Sequence, residues 1–180
     1  MGTVGGGVAA ILENGSFGHG ENGGLYLQLK KVLIRDPALP RKINLPPETF
    51  TTRAADILDD PAIEIVIELI GGIEPARSYI LEALRRGKYV VTANKDLLAT
   101  CGGELFKAAH EHGRNVFYEA SVGGGIPLLH PLKHCLVANR IERILGIVNG
   151  TTNYILTRMA RGGMNFQEAL AQAQLNGFAE

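Results

Sequence analysis

The stretch IEIVIELIGG, residues 63–72, constrains the fold of this chain more than any other. Ile63, Ile65, Val66, Ile67 and Leu69 form an aliphatic, mostly β-branched run, and Gly71 and Gly72 close it. Apolar residues at successive positions, not only alternate ones, suit a central parallel strand buried on both faces. Parallel neighbours need crossover connections, usually helical. EPARSYILEALRRGK supplies one: Pro75 lies near its start, Arg85 and Arg86 fall in its last turn, and Gly87 stops it. KYVVTANK reads as the next strand. DLLATCGGELFKAAHEHG reads as a helix ending at Gly113 and interrupted by a glycine pair, and NVFYEA as a further strand. A strand is also expected upstream, over residues 31–35. Strand, helix, strand, helix, strand at this spacing predicts a doubly wound α/β fold with a parallel sheet, which binds ligands at the carboxyl ends of its strands.

The N-terminus fits a phosphate ligand at that end. MGTVGGGVAAIL reads as a glycine turn running into a helix over residues 2–12. Gly2 and Gly5 are spaced like the second and third glycines of a dinucleotide-binding turn. One lets the backbone approach a pyrophosphate, and the other lets helix and strand pack closely. The pyrophosphate then faces the helix N-terminus, where free N–H groups and the dipole favour an anion. The polar, glycine-rich segment Glu13–Gly24 reads as a loop. Pro37, Pro40, Pro46 and Pro47 mark an irregular surface connection.

Three further places carry chemistry. In IRDP, Arg35 comes before Asp36, with Arg41 and Lys42 following. An arginine at this strand end accommodates the 2′-phosphate of NADP, where an acidic residue would bond the ribose of NAD, so NADP is favoured; a solvated charged loop is the plainer reading. Lys95 lies just beyond a buried strand, where a lysine can meet a carboxylate, a phosphate or a carbonyl oxygen, or simply start a helix in water. Glu119 stands before the three glycines of EASVGGGIP. Turned backbone carbonyls plus one carboxylate make a plausible site for a hard cation.

The texture changes after Ser121, which suggests a nucleotide-binding domain over 1–121 and the beginning of a second domain over 122–180. VGGGIPLLHPLKHCLVANR reads as a glycine turn and a partly helical stretch. IERILGIVNG reads as a strand, and TTNYILTRMARGG and NFQEALAQAQLNG as amphipathic helices. Thr151 or Thr152 is a candidate cap for the first helix. Asn165 is a candidate for the second, with Glu168 completing a capping box.

Composition narrows the function classes. Eighteen basic residues balance eighteen acidic ones, so the chain as a whole has no pull toward nucleic acid. No apolar run is long enough to span a bilayer, and no secretory leader is recognisable. The two cysteines, Cys101 and Cys135, read as reduced structural thiols of a cytoplasmic protein. An acyl-transferring semialdehyde dehydrogenase would need a cysteine poised beside a base. Cys101 precedes a glycine pair and Cys135 lies in an apolar stretch, so neither fits. His130 and His134 are four apart, but no third ligand accompanies them.

Taken in order, GTVGGGV, VLIRDP, IELIGGIEPA, VVTANKDLLA, YEASVGGGIPLL, GIVNGTTNYILTRM and EALAQAQLNGFAE resemble homoserine dehydrogenase along nearly the whole chain. The weakly matching stretch is the glycine-rich loop. The combination of ANK, EASVGGGIP and NGTTNYIL is highly specific.

The resemblance implies a Rossmann-like cofactor domain followed by the start of an α+β substrate and dimerisation domain. It implies reduction of aspartate semialdehyde to homoserine with NADPH or NADH, on the route to threonine and methionine, in a cytoplasmic homodimer. It also assigns roles. Gly2, Thr3, Val4 and Gly5 would line the pyrophosphate, and Arg35 would meet the 2′-phosphate. Gly71, Gly72 and Thr92 would lie along the cofactor, with Lys95 beside nicotinamide and substrate. A monovalent cation, usually sodium, would be held by Glu119 and the carbonyls of Val122, Gly124 and Ile126. Asn149, Gly150 and Thr151 would flank the cleft, and Glu180 would bind the substrate amino group. Family chains carry a strand and a glycine before the position of Gly2. After FAE they carry an aspartate and then the lysine usually assigned as proton donor. The 180 residues alone are therefore expected to be catalytically silent, with weak turnover by Lys95 as the exception. A non-catalytic nucleotide-binding module derived from such an enzyme is the alternative.

Overall fold

The structure, a computed structural model, describes residues 2–13, 27–39 and 43–179. Pro40, Arg41, Lys42, Glu180 and the glycine-rich loop beyond Glu13 lie outside the described residues. The chain divides into two compact units, Met1–Tyr118 and Glu119–Glu180.

In the first unit, α1 (Thr3–Glu13) is followed by two short parallel strands, β1 (Val32–Leu33) and β2 (Phe50–Thr51). The Ile34 N–H extends this ladder, donating to Thr51 at 2.8 Å. A 3-10 turn at Pro47–Thr49 leads into β2, and α2 (Ala55–Leu58) follows it. The classical crossover pattern comes next: β3 (Ile65–Glu68), α3 (Ala76–Arg85), β4 (Tyr89–Thr92), α4 (Lys95–Glu111) and β5 (Val116–Phe117). These strands form a second parallel sheet in the order β3-β4-β5. Its core sits between strands and helices, where Ile80 and Leu84 of α3, Leu97 and Leu105 of α4 and Val90 of β4 are fully buried. The doubly wound class expected from the sequence is what the chain adopts; the strand expected over residues 31–35 is present as β1, while β2 and α2 are shorter than a sequence pattern can register.

Two local expectations need correction. The helix over Lys95–Glu111 is not interrupted at Gly102 and Gly103 but runs through both. Each glycine costs a helix about 1 kcal/mol relative to alanine. That cost is outweighed by the N-cap at Asn94 and by the apolar face of Leu97, Leu105 and Ala109 buried in the core. Strand β3 is not flanked on both sides, since β4 is its one partner among the described residues. Ile65 and Ile67 are consequently 41% and 39% exposed. They belong to the wall of a groove that separates the two sheets.

In the second unit, Pro131–Cys135 form a single π-helical turn, and α5 (Gly150–Gly162) and α6 (Phe166–Leu175) pack as a hairpin around Ile155, Ala169 and Ala173. Asn149, not Thr151 or Thr152, caps α5: its side chain accepts from the Thr152 N–H at 2.8 Å. Asn165 and Glu168 make the expected capping box on α6. IERILGIVNG forms no strand. A strand is completed by its neighbour, and no other strand exists in this unit among the described residues.

Candidate functional site

The carboxyl ends of β3 and β4 are adjacent, with Glu68 and Thr92 as register partners. Beyond Glu68 the chain turns through Gly71 and Gly72 at φ +80° and +69°. These left-handed values are costly for any residue with a Cβ, and they turn the backbone across the end of the sheet. Beyond Thr92, Asn94 caps α4 and leaves Lys95, exposed, as the first helical residue. The structure thus brings together Gly71, Gly72, Thr92 and Lys95, four of the residues singled out from sequence.

Two residues that sequence reasoning passed over organise this corner. Glu68 is 4% exposed. Its Oε1 accepts from the N–H groups of Ile70 at 2.7 Å and Gly71 at 3.3 Å, and its Oε2 accepts from the Thr92 hydroxyl at 2.6 Å. The Asn94 N–H donates to Thr92 Oγ1 at 3.0 Å, and Asn94 Nδ2 donates to the Gly72 carbonyl at 2.7 Å. The available signals were an acidic residue inside an apolar strand, and an asparagine directly before a helix-starting lysine.

The helix N-terminus lies at the groove between the sheets. This cavity of about 430 Å³ is lined by Gly2 and Gly5, by Leu33 at the end of β1, and by Glu68, Leu69 and Ile70 at and just beyond the end of β3. In the classic doubly wound order 3-2-1-4-5-6, strands β2 and β1 stand as 3 and 2, and β3, β4 and β5 as 4, 5 and 6. The groove falls at the position between them. Thr3, Val4 and Gly5 form the first turn of α1, not a separate glycine turn, and the Gly6 N–H closes onto the Gly2 carbonyl at 2.9 Å. First-turn N–H groups have no partner within a helix, so this end suits an anion. Arg35, exposed, follows β1 and is not part of the groove lining. The open amides at the start of α1 fit the pyrophosphate of a dinucleotide; the bent glycine pair and the exposed cations Arg35 and Lys95 lie outside the groove lining.

In the second unit, the Glu119 carboxylate accepts three backbone hydrogen bonds, from Leu128 at 2.7 Å, Leu129 at 2.9 Å and His130 at 2.8 Å. Burial opposes its ionised form, but these three donors and the nearby His130 outweigh that and hold the carboxyl below the usual range. The EASVGGGIP turn is tied by Val122 N–H to Glu119 and Ile126 N–H to Gly123. Among the described residues the carbonyls of Val122, Gly124 and Ile126 accept neither of these two turn bonds. Glu119 contributes only the acceptor capacity that the three N–H groups leave. Asn149 and Gly150 begin α5, and the Thr151 hydroxyl donates to the Phe178 carbonyl. Glu180 lies outside the described residues.

Comparison with known proteins supplies a family context. The sequence pattern of the family described as homoserine dehydrogenase, NAD binding domain, matches residues 1–119, and that described as homoserine dehydrogenase matches residues 127–180. The homoserine dehydrogenase of Bacillus subtilis is 46% identical over 180 residues, which are all of this chain and 42% of the relative. That of Synechocystis is 50% identical over 181 residues, or 41% of the relative. The chain thus spans about two fifths of the length of the curated relatives it matches. A homoserine dehydrogenase crystal structure from Thiobacillus denitrificans superposes with a TM-score of 0.84 at 41% identity, covering all of this chain and 42% of that one. One from S. aureus superposes with a TM-score of 0.73 at 37% identity, covering 44% of that chain.

Proposed function

The chain belongs to the homoserine dehydrogenase family, and from that premise we propose that it carries the cofactor-binding part of an NAD(P)H-dependent enzyme reducing L-aspartate 4-semialdehyde to L-homoserine. The observation that carries this reading is the meeting of Gly71, Gly72, Thr92 and Lys95 at the carboxyl ends of β3 and β4.

Nicotinamide, when bound, supplies the hydride that reaches the aldehyde carbon. The chain's own residues do the rest. Gly2, Thr3, Val4 and Gly5 offer first-turn amides to the pyrophosphate. Gly71 and Gly72 let the backbone lie along the cofactor with no Cβ in the way, and Thr92 fixes the floor beneath them. Lys95 places an ammonium where charge grows on the aldehyde oxygen, and can stabilise it and hand over a proton. Arg35 pairs with a 2′-phosphate, which makes NADP the preferred cofactor over NAD.

Glu119 and the carbonyls of Val122, Gly124 and Ile126 would hold a monovalent cation, sodium, that keeps the glycine turn in shape. Asn149, Gly150 and Thr151 would flank the substrate, and Glu180 would pair with its ammonium and orient it. A cytoplasmic homodimer is the expected assembly of the whole enzyme. No helix among the described residues is long and apolar enough to cross a membrane.

Fluorescence titration with NADPH and NADH, followed by absorbance with aspartate semialdehyde present, tests the reading. Saturable binding, tighter for NADPH, is expected. Absence of binding would overturn the cofactor assignment; binding without turnover is expected of these residues alone, and weak turnover would assign proton transfer to Lys95.

A further inference from the structure

We propose that Glu68 and Asn94 are positioning residues of the cofactor site, which clamp the Gly71–Gly72 turn to the start of α4 so that the turn and Lys95 stand in one rigid frame. The proposal rests on the reading of this corner as the cofactor site.

The first argument is that the network closes on itself. Segment 68–72 and segment 92–97 are joined by two side-chain bonds, Thr92 to Glu68 and Asn94 to Gly72, and the Asn94 N–H links these two by donating to Thr92 Oγ1. Glu68 also folds its own strand end back by taking the Ile70 and Gly71 amides on one oxygen. Each group acts in only one possible direction. Leu97 N–H is a donor and Gly72 carbonyl an acceptor, so Asn94 must face them with Oδ1 and Nδ2 respectively. The Thr92 hydroxyl accepts from an amide and so donates to Glu68. A chain of bonds with fixed sense polarises each of its members and resists rearrangement.

The second argument concerns cost. A carboxylate buried in an aliphatic strand is disfavoured unless it is fully hydrogen-bonded. An apolar residue at position 68 would continue the pattern of β3 without that cost. The strand instead places at its last residue an acceptor for three donors, among them the amide of Gly71, the first of the left-handed glycine pair. Asn94 likewise exceeds a cap. Serine would satisfy the Leu97 N–H equally well, but only a longer side chain with its own donor reaches Gly72. Lys95 is the next residue, so whatever fixes Asn94 to Gly72 fixes the spacing between the turn and the lysine backbone.

Asn94→Ser separates the two roles, since it keeps a neutral cap and removes the tether. Amide hydrogen exchange and NADPH titration of the chain provide the readouts. In Asn94→Ser the Leu97 amide is expected to stay protected and the unfolding midpoint to stay close to native. The Ile70 and Gly71 amides are expected to exchange about tenfold faster, and the NADPH dissociation constant to rise about tenfold, as for one lost tethering hydrogen bond. Glu68→Gln, which at constant size leaves one acceptor oxygen for the three donors that the two carboxylate oxygens now serve, is expected to show the same confined loss. Exchange at Ile70 and Gly71 indistinguishable from native would overturn the clamp. So would protection lost uniformly, Leu97 included, which is the mark of a fold-wide role. If the unaltered chain binds no NADPH, the cofactor reading falls, and the confinement of faster exchange to Ile70 and Gly71 still decides the clamp.

Discussion

Lys88 Nζ donates to the Ile63 carbonyl at 2.7 Å and to the Asp60 carbonyl at 2.6 Å, which ties the entry of β3 to the entry of β4. Lys88 is 3% exposed. Its ammonium satisfies two carbonyls that no strand reaches. The same two strands are joined at their far ends by Glu68, Thr92 and Asn94, so the pair is fastened at both extremities. Replacing Lys88 by methionine keeps the apolar stem and removes the donor to the Ile63 carbonyl, while the Asp60 carbonyl keeps the Ile63 N–H at 3.2 Å. Lys88→Met is expected to destabilise the first unit by about 1–3 kcal/mol, the cost of leaving a buried polar group unsatisfied. Urea unfolding with an unchanged m-value measures it.

The same lysine gives a pH signature. Burial pushes the Lys88 ammonium below its ordinary value, helped by Arg86 and opposed by Asp60 and Asp59. The unfolded chain then binds more protons than the folded one just below the unfolded value of about 10.4. Stability contributed by this group rises with pH across that window and levels off above it. Urea midpoints should climb for the native chain relative to Lys88→Met as pH approaches about 10.4 from below. Parallel profiles for the two would contradict the assignment.

Glu119 has the opposite sign. Its folded value lies below the ordinary one, despite burial, because Leu128, His130 and Leu129 donate to the ionised form. The stabilisation is present above the unfolded value of about 4.3 and is lost as pH falls through the lower folded value. NMR titration of the Leu128, Leu129 and His130 amides should report a midpoint below that of an ordinary glutamate. A midpoint at or above it would mean the three hydrogen bonds are not formed in solution.

Two glycines at open positions should respond in opposite directions. A Cβ at Gly72 meets nothing within 4 Å, but the φ of +69° is unfavourable for alanine. Gly72→Ala is expected to cost about 1–2 kcal/mol and to weaken NADPH binding. Gly103, exposed within α4, also meets nothing, and its φ is ordinary. Gly103→Ala is expected to stabilise by up to about 1 kcal/mol and to leave NADPH binding alone. Thermal melts of the two variants make the comparison.

These contrasts explain which parts of the fold were legible beforehand. A long element with a strong period, such as α3, is specified by its own residues. The expectation that β3 would be buried on both faces followed the aliphatic run, yet Ile65 and Ile67 face a groove because burial depends on the neighbouring strand. The same holds for IERILGIVNG, a strand by pattern with no sheet to join. The glycine pair in α4 misled because local propensity was counted without the core that overrides it. At the site, glycines and lysine could be read from the motif. Glu68 and Asn94 could not, because their importance lies in hydrogen bonds across the register of β3 and β4.

On the proposed reading, Arg35 sets the cofactor preference. It is exposed and close in sequence to β1, so its charge is available without a structural role in the core. Arg35→Asp is expected to raise the NADPH dissociation constant about tenfold or more by removing a charge-assisted contact, while NADH binding changes little. Parallel loss for both cofactors would place the 2′-phosphate elsewhere.

The account as a whole stands on where the cofactor lies. NMR shift mapping of the chain during titration with NADPH addresses that directly. The expected result is saturable perturbation of Gly2, Thr3, Val4, Gly5, Gly71, Gly72, Thr92, Asn94 and Lys95, at the carboxyl ends of β3 and β4. Saturable shifts confined to other surfaces, or no shifts at all, would contradict it.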